Sequence, residues 1–397
     1  MKKILAVILA LILAFSLAAC ANNSGSPGSD APASSPSESA PAPSASSDSP
    51  AQAPASVAPT VGTVNDDVDH FAREKYKIVF AHFDNRTLEQ EAFESLQLVA
   101  DRFNYEVTRM SGDSDEETYI NNLQTLVDRG GIDGVLVFTT TTIKNAVLEI
   151  MNNSGIPYVV MFTPLEDDQG RCVAPVSGLQ QYNTGYAAME WLTLHYKDYW
   201  GDIDTSDFGM IGVDFSVIPV MHERIEGLQD AFLKAFPDNE DNVFYFDGYT
   251  APTGNRMESG YDATTQIVNA NPQIKYWMVC GANEDLSQGM ARAAEDLGYD
   301  EKTMLVTSVG TSVFQHEWES GYTGSWVSTI AIYTPGHTTP GALGLIALID
   351  GRATPETLWP QYRRAGDFCS IWEAEFKPVT FAELYDYLEE MRVVYGW

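Results

Sequence analysis

Residues 271–312, NPQIKYWMVCGANEDLSQGMARAAEDLGYDEKTMLVTSVGTS, decide the fold. Residues 274–280 form a short apolar run, and Leu286, Met290, Ala293, Ala294 and Leu297 then recur at helical spacing before a second apolar run over 304–309. That is a β–α–β unit. Parallel strands in such a unit bring their carboxyl ends to one edge of a sheet, so Asn283, Glu284 and Asp285 should lie beside Gly310, Thr311 and Ser312. Open α/β sheets bind ligands at that edge.

Working outward, the unit is the last of a long series. Residues 77–83 (KIVFAHF) predict a buried strand, followed by a polar loop at Asp84, Asn85, Arg86 and Thr87 and a helix to about 103. Strand, helix and strand then alternate through 105–109, 115–129, 134–138, 139–152 and 158–162. From 173 the alternation starts again, with strands at 173–176, 208–214 and 243–246 and helices opening at 182, 218 and 261. Two such series predict two similar doubly wound parallel-sheet lobes of an α/β protein.

The chain of 397 residues carries 23 Lys plus Arg against 55 Asp plus Glu, a formal net charge of -32. That balance disfavours nucleic acid and anionic membrane surfaces as partners. The four cysteines, 20, 172, 280 and 369, have no metal-ligand spacing, and no metal or cofactor is expected. Cys280 lies in an apolar strand and is read as packing. Cys172 and Cys369 can pair only if the fold brings them together.

Residues 1–20 combine Lys2 and Lys3, an apolar run over 4–17, and Leu17-Ala18-Ala19-Cys20. The run is too short for an ordinary spanning helix and is read as a secretory signal. Its end resembles the lipobox of bacterial lipoproteins, which implies a lipid-modified Cys20 anchoring the chain on the extracytoplasmic face of the cell membrane. Residues 21–70 are read as a disordered Ser/Pro/Ala-rich tether, because such a composition cannot bury enough apolar surface to offset its ordering entropy.

The order of elements from about 76 to 352 resembles the type I periplasmic binding proteins, the sugar-type solute receptors of ABC transporters. The phrases TLVDRGGIDGVLV (125–137), SGIPYVV (154–160), YNTGY (182–186) and RIEGLQDAF (224–232) are similar to that family's, as are the strand ends at Asn283 and Gly310. The resemblance implies an N-terminal lobe of 71–177 plus 332–357 and a C-terminal lobe and tail of 178–331 plus 358–397. A three-segment hinge would cross near 177–179, 308–311 and 329–333, and the lobes would close on a ligand.

Carried over position by position, the resemblance implies ligand contacts from Phe83, Asp84, Asn85 and Arg86 after the first strand, and from Phe162 and Thr163 after the fourth. In the second lobe it implies contacts from His222, Asn283 and Thr311, and from Tyr333 at the third crossing. Many sugar binders place an Asp-Arg pair where this chain has Phe162 and Thr163. The strongest polar clamp for a pyranose is thus missing. What remains suits a small polar molecule with apolar faces, the aromatics covering C–H surfaces and the polar groups bonding hydroxyls, although each aromatic would also serve as core.

The expected partners are a sugar-like small molecule, the permease subunits of an ABC importer and the membrane through Cys20, with the chain itself a monomer. A receptor reporting to a signalling kinase would use the same closing motion, and a nucleoside-binding lipoprotein would use the aromatic walls. HExxH, P-loop, GxGxxG and GxSxG patterns are all missing, so an enzyme is not expected, a glycoside-active one being the remote alternative.

Overall fold

The computed structural model of the chain describes residues 61–214, 219–248 and 256–395. The signal segment, Cys20 and the first part of the tether lie outside the described residues. Among the described residues no helix is long and apolar enough to cross a membrane.

The first lobe is built from β1 (Tyr76–His82), α1 (Thr87–Ala100), β2 (Tyr105–Ser111), α2 (Glu116–Arg129), β3 (Gly134–Phe138), α3 (Lys144–Ser154), β4 (Tyr158–Phe162) and β5 (Val176–Gly178). Their sheet runs β11-β5-β4-β3-β1-β2, with β11 at Ile371–Glu373, and every pairing is parallel. β1 shows why its run is apolar throughout. Ile78 and Phe80 face one core cluster and Ala81 the other, so the strand is buried on both faces. Asp115 caps α2 by accepting from the Thr118 amide, and Gly155, in the left-handed region, ends α3.

The second lobe follows the same plan with α4 (Gln181–Trp200), β6 (Phe208–Asp214), α5 (Pro219–Ala235), β7 (Val243–Asp247), α6 (Arg256–Ala270), β8 (Tyr276–Gly281), α7 (Glu284–Leu297), β9 (Met304–Thr307), α8 (Ser312–Glu319) and β10 (Thr329–Ile332). Its parallel sheet runs β7-β6-β8-β9. In both sheets the order reverses beside the first strand of the series, between β1 and β3 and between β6 and β8. Those reversals mark where a doubly wound sheet opens a crevice at its carboxyl edge.

Glycines fix the helix layers of the second lobe. A Cβ on Gly185 of α4 would lie 1.9 Å from the Arg224 carbonyl oxygen of α5, and one on Gly227 of α5 would lie 2.1 Å from that of Tyr182. The next helix pair repeats the device, Gly260 of α6 against Leu286 and Gly289 of α7 against Met257. Both pairs therefore touch backbone to backbone, which holds the starts of α5 and α7 at fixed depth beside the sheet edge.

Among the described residues the chain crosses between lobes three times: between Gly178 and Gln181, between Ile332 and Pro335, and between Glu373 and Phe376. The second crossing expected near 308–311 does not exist. Gly310 donates to the Ile330 carbonyl (3.0 Å), and Val309, Phe314 and Ile330 all sit in the second lobe's core, so the chain stays there. The remaining crossing is made instead by the tail.

The tail assigned to the second lobe, 358–397, is divided: it continues from helix α9 (Pro335–Ile349), which packs Ala342, Leu345 and Ile346 against Phe80, Leu136 and Met161 of the first lobe. Leu358, Trp359 and β11 complete that lobe, whereas β12 (Phe376–Val379) pairs antiparallel with β10, and α10 (Leu384–Tyr395) buries Leu384, Tyr387 and Met391 in the second core. The tether expectation also fails for residues 61–70. Thr63 and His70 are buried, Asp66 pairs with Arg352, and the Trp359 indole donates to the Gly62 carbonyl (3.2 Å).

Candidate functional site

The predicted contact residues of the first lobe lie at the carboxyl edge of its sheet, but their side chains have different tasks. Asp84 pairs with Arg86 and accepts from the Ser114 hydroxyl (2.7 Å). Asn85 donates to Ser111 and Asp113 (both 2.8 Å), which ties it to the β2–α2 loop. Phe83 leans on Tyr119, ring centres 6.2 Å apart, at the margin of the core. Phe162 has φ +66, a left-handed conformation uncommon for a bulky residue, and its ring sits between Phe138 (4.8 Å) and His337 (5.1 Å). Thr163 follows it in a tight turn, its amide donating to the Met161 carbonyl (2.8 Å).

Beside these residues, α1 and the ends of β1 and β2 enclose a cavity of about 270 Å³ lined by His82, Asn85, Glu89, Gln90 and Arg109. Sequence reasoning missed His82 and Glu89. His82 is 1% exposed and Glu89 7%, and among the described residues His82 Nε2 and Glu89 Oε2 are both buried without a hydrogen-bond partner. Buried polar atoms left in this state cost roughly 1–3 kcal/mol each, so they point to a missing partner. The His82 tautomer follows from geometry: Nδ1 lies 2.5 Å from the Asp84 carbonyl oxygen, which only accepts, so Nδ1 carries the proton. Burial holds the ring's pKa below its ordinary value, leaving Nε2 as a bare acceptor, and burial also raises that of Glu89.

At the second lobe's edge, Asp214 ends β6 fully buried and accepts from His222 Nδ1 (2.8 Å) and the Tyr245 hydroxyl (2.9 Å). The bond to Asp214 raises the His222 pKa. Asn283 caps α7, its Oδ1 accepting from the Leu286 amide (3.0 Å), which aims its NH2 group away from the helix end. Thr311 is occupied: its hydroxyl donates to the Ile332 carbonyl (2.7 Å) and accepts from the Ile332 amide (2.8 Å). Tyr333, half-buried at the second crossing, faces Tyr395 with ring centres 6.1 Å apart.

Arg224, inside the RIEG phrase, was also missed as a site residue. Its Nε donates to Gln181 (2.7 Å) and its Nη1 to the Ala282 carbonyl (2.6 Å), which places the guanidinium at the reversal between β6 and β8. Enclosure by protein lowers its pKa to about 10. Neighbouring Glu284 is 9% exposed, with burial pushing its carboxyl up to about 8 although it accepts from the Phe314 amide (3.0 Å).

The two edges face each other. Burial raises the pKa of Glu91 of α1 while the hydroxyls of Ser312 and Thr334 oppose that rise, and Arg256 at the start of α6 lies in the field of Asp84, Arg86 and Glu89 of the first lobe. His337, buried beneath Phe162, likewise feels Arg224 across the gap. The arrangement is therefore a polar crevice between two sheet edges, carrying both cationic and carboxyl groups and the unpartnered acceptors of one wall.

With this geometry, the comparisons define the class. Residues 76–332 match the model of the periplasmic binding protein domain family, and the chain belongs to that family, whose members are binding proteins and not enzymes. Membership implies an extracytoplasmic location. Among solved structures the chain is similar to an ABC transporter periplasmic solute binding protein from Actinobacillus succinogenes with bound D-allose, at 13% identity over 79% of this chain and 100% of that one, TM-score 0.59. An ABC transporter solute binding protein from Bacillus halodurans with bound myo-inositol matches at 13% over 80% and 98%, TM-score 0.59. A protein from Mycobacterium smegmatis in complex with β-D-fucofuranose matches at 15% over 81% and 96%, TM-score 0.60. At these identities the likeness is one of fold. No curated protein matches the chain.

Proposed function

We propose that this chain is a lipid-anchored, extracytoplasmic receptor that captures a small polyhydroxylated solute, a sugar or sugar derivative, between its lobes and delivers it to an ABC importer. The observation that carries the ligand class is a pair of acceptors without partners among the described residues, His82 Nε2 and Glu89 Oε2, in one cavity beside the crevice. Ligand hydroxyls are donors of the right kind for both, and their arrival would remove the cost of leaving them unpaired. The D-allose, myo-inositol and β-D-fucofuranose bound by proteins of the same fold share that chemistry. In this reading Asp84, Asn85, Arg86, Asn283 and Arg224 line the polar part of the crevice, Phe83, Phe162 and Tyr333 its apolar part, and Thr163, His222 and Thr311 support the loops that carry them. Cys20 bears the lipid, and the Ser/Pro/Ala-rich segment after it joins that anchor to the lobes that meet a permease.

The reading predicts that Glu89→Gln and His82→Leu each weaken binding of the best-bound sugar about 10-fold or more, the equivalent of roughly 1.4 kcal/mol for one hydrogen-bonding site. Titration calorimetry on both variants checks this. Unchanged affinity in both would remove the cavity from the binding site.

A further inference from the structure

We propose that Cys172 and Cys369 form an intramolecular disulfide that staples the tail to the first lobe. The two residues are separated by most of the second lobe in sequence, yet the amides of Phe368 (3.0 Å) and Cys369 (3.2 Å) both donate to the Cys172 carbonyl. A backbone hydrogen bond of that kind puts the two Cα atoms roughly 5–6 Å apart, inside the window a disulfide spans. Both are free thiols in this structure, Cys172 Sγ donating to the Ala174 carbonyl (3.0 Å), and both side chains are buried, at 0% and 1% exposure, in one apolar cluster with Leu165, Ala174 and Ile371.

The surrounding bonds hold the two segments in fixed register. Asp367 accepts from the Cys172 amide (2.9 Å), Arg364 bridges Asp367 (2.8 Å) and Glu166 (2.9 Å), and the Val176 amide donates to the Ser370 carbonyl (3.0 Å). β11 then pairs with β5 over three residues before the chain leaves for the second lobe. So short a strand at a sheet edge is a weak anchor for the third crossing, and a covalent link beside it would keep lobe motion from peeling the strand away. An extracytoplasmic location supplies the oxidising surroundings in which such a link persists.

The oxidant is a disulfide-bearing thiol oxidant. One cysteine thiolate attacks it and releases the first thiol; the second thiolate then attacks the mixed disulfide, forming the Sγ172–Sγ369 bond and releasing the second. Two electrons and the two cysteine protons pass to the oxidant, which leaves as a dithiol or as two thiols. Burial pushes both thiols up to about 12 in the folded state, so exchange belongs to folding and the finished bond is shielded afterwards.

The test is to export the full chain, denature it without reductant in iodoacetamide, and map the peptides by mass. The expected result is a linked pair containing Cys172 and Cys369, lighter by two hydrogens than the free thiols, with Cys280 alkylated as the internal control. In Cys280→Ser the link should remain, and in Cys369→Ser Cys172 should alkylate. Full alkylation of Cys172 and Cys369 in the wild-type chain would overturn the proposal.

Discussion

Replacing Gly289 with alanine is expected to destabilise the fold by about 3 kcal/mol, the upper part of the usual range for overpacking. A Cβ there would lie 1.8 Å from the Met257 carbonyl oxygen and 2.8 Å from the Tyr261 amide, so the obstacle is backbone on both sides and no rotamer change relieves it. Helix α7 would have to lift off α6, and the cap at Asn283 would move with it. Gly185→Ala should behave alike, since its Cβ would meet the Arg224 carbonyl oxygen. The control is Gly298→Ala. That glycine has φ +80 with nothing within 4 Å of an added Cβ, so only left-handed strain is at stake, about 1–2 kcal/mol. Urea denaturation of the three variants checks the order, and equal losses at all three would show that the helix pairs are not in backbone contact.

Glu284→Gln is expected to stabilise the protein at pH 8.5 and to leave it nearly unchanged at pH 4.5. Burial raises the folded-state pKa of Glu284 from 4.5 to about 8. A group raised on folding contributes stability that is fully present below its unfolded pKa and is lost as pH climbs through the folded value. Across that window the loss approaches on the order of 4 kcal/mol at 1.36 kcal/mol per pKa unit. Glutamine keeps an oxygen to accept from the Phe314 amide but carries no charge to bury, so the variant should gain on the wild type as pH rises. Denaturation midpoints for both proteins at pH 4.5, 6.5 and 8.5 measure the difference. A difference that does not change with pH would mean that Glu284 is not desolvated.

The lobe plan was legible because its strands are buried on both faces and read as continuous apolar runs, while the helices between them repeat at helical spacing. Topology alone sends Asn283 to the sheet edge, whereas Asp84–Arg86, Phe162 and His222, the last in the first turn of α5, were placed by likeness to the family. The tail could not be read. β11 has three residues, β12 contains Pro378, and the partners of both lie far back in the chain, so neither has a local signature. That is why the crossing at 374–375 was expected at 308–311, where a polar run follows a strand but only a turn within the second lobe results.

Glu89 illustrates a different limit. An acid in the first turn of a helix is normally solvated and favourable to the helix dipole, and only tertiary packing buries this one. His82 did carry a signal, as a polar residue within an otherwise apolar strand. The phrases NTGY and RIEG were noticed for their likeness to a family, whereas their physical content is the Gly185 and Gly227 contact that seats Arg224 against Ala282.

The central claim is that facing sheet edges form one site for a polyhydroxylated solute. Thermal-shift titration of the wild-type protein against pentoses, hexoses, cyclitols and nucleosides tests it most directly. The account predicts a saturable rise in Tm with at least one sugar or cyclitol, equivalent to about 2.7 kcal/mol at 100 times its Kd, and a right-shifted curve in Glu89→Gln. Stabilisation by nucleosides alone, or by none of the four classes, would contradict it.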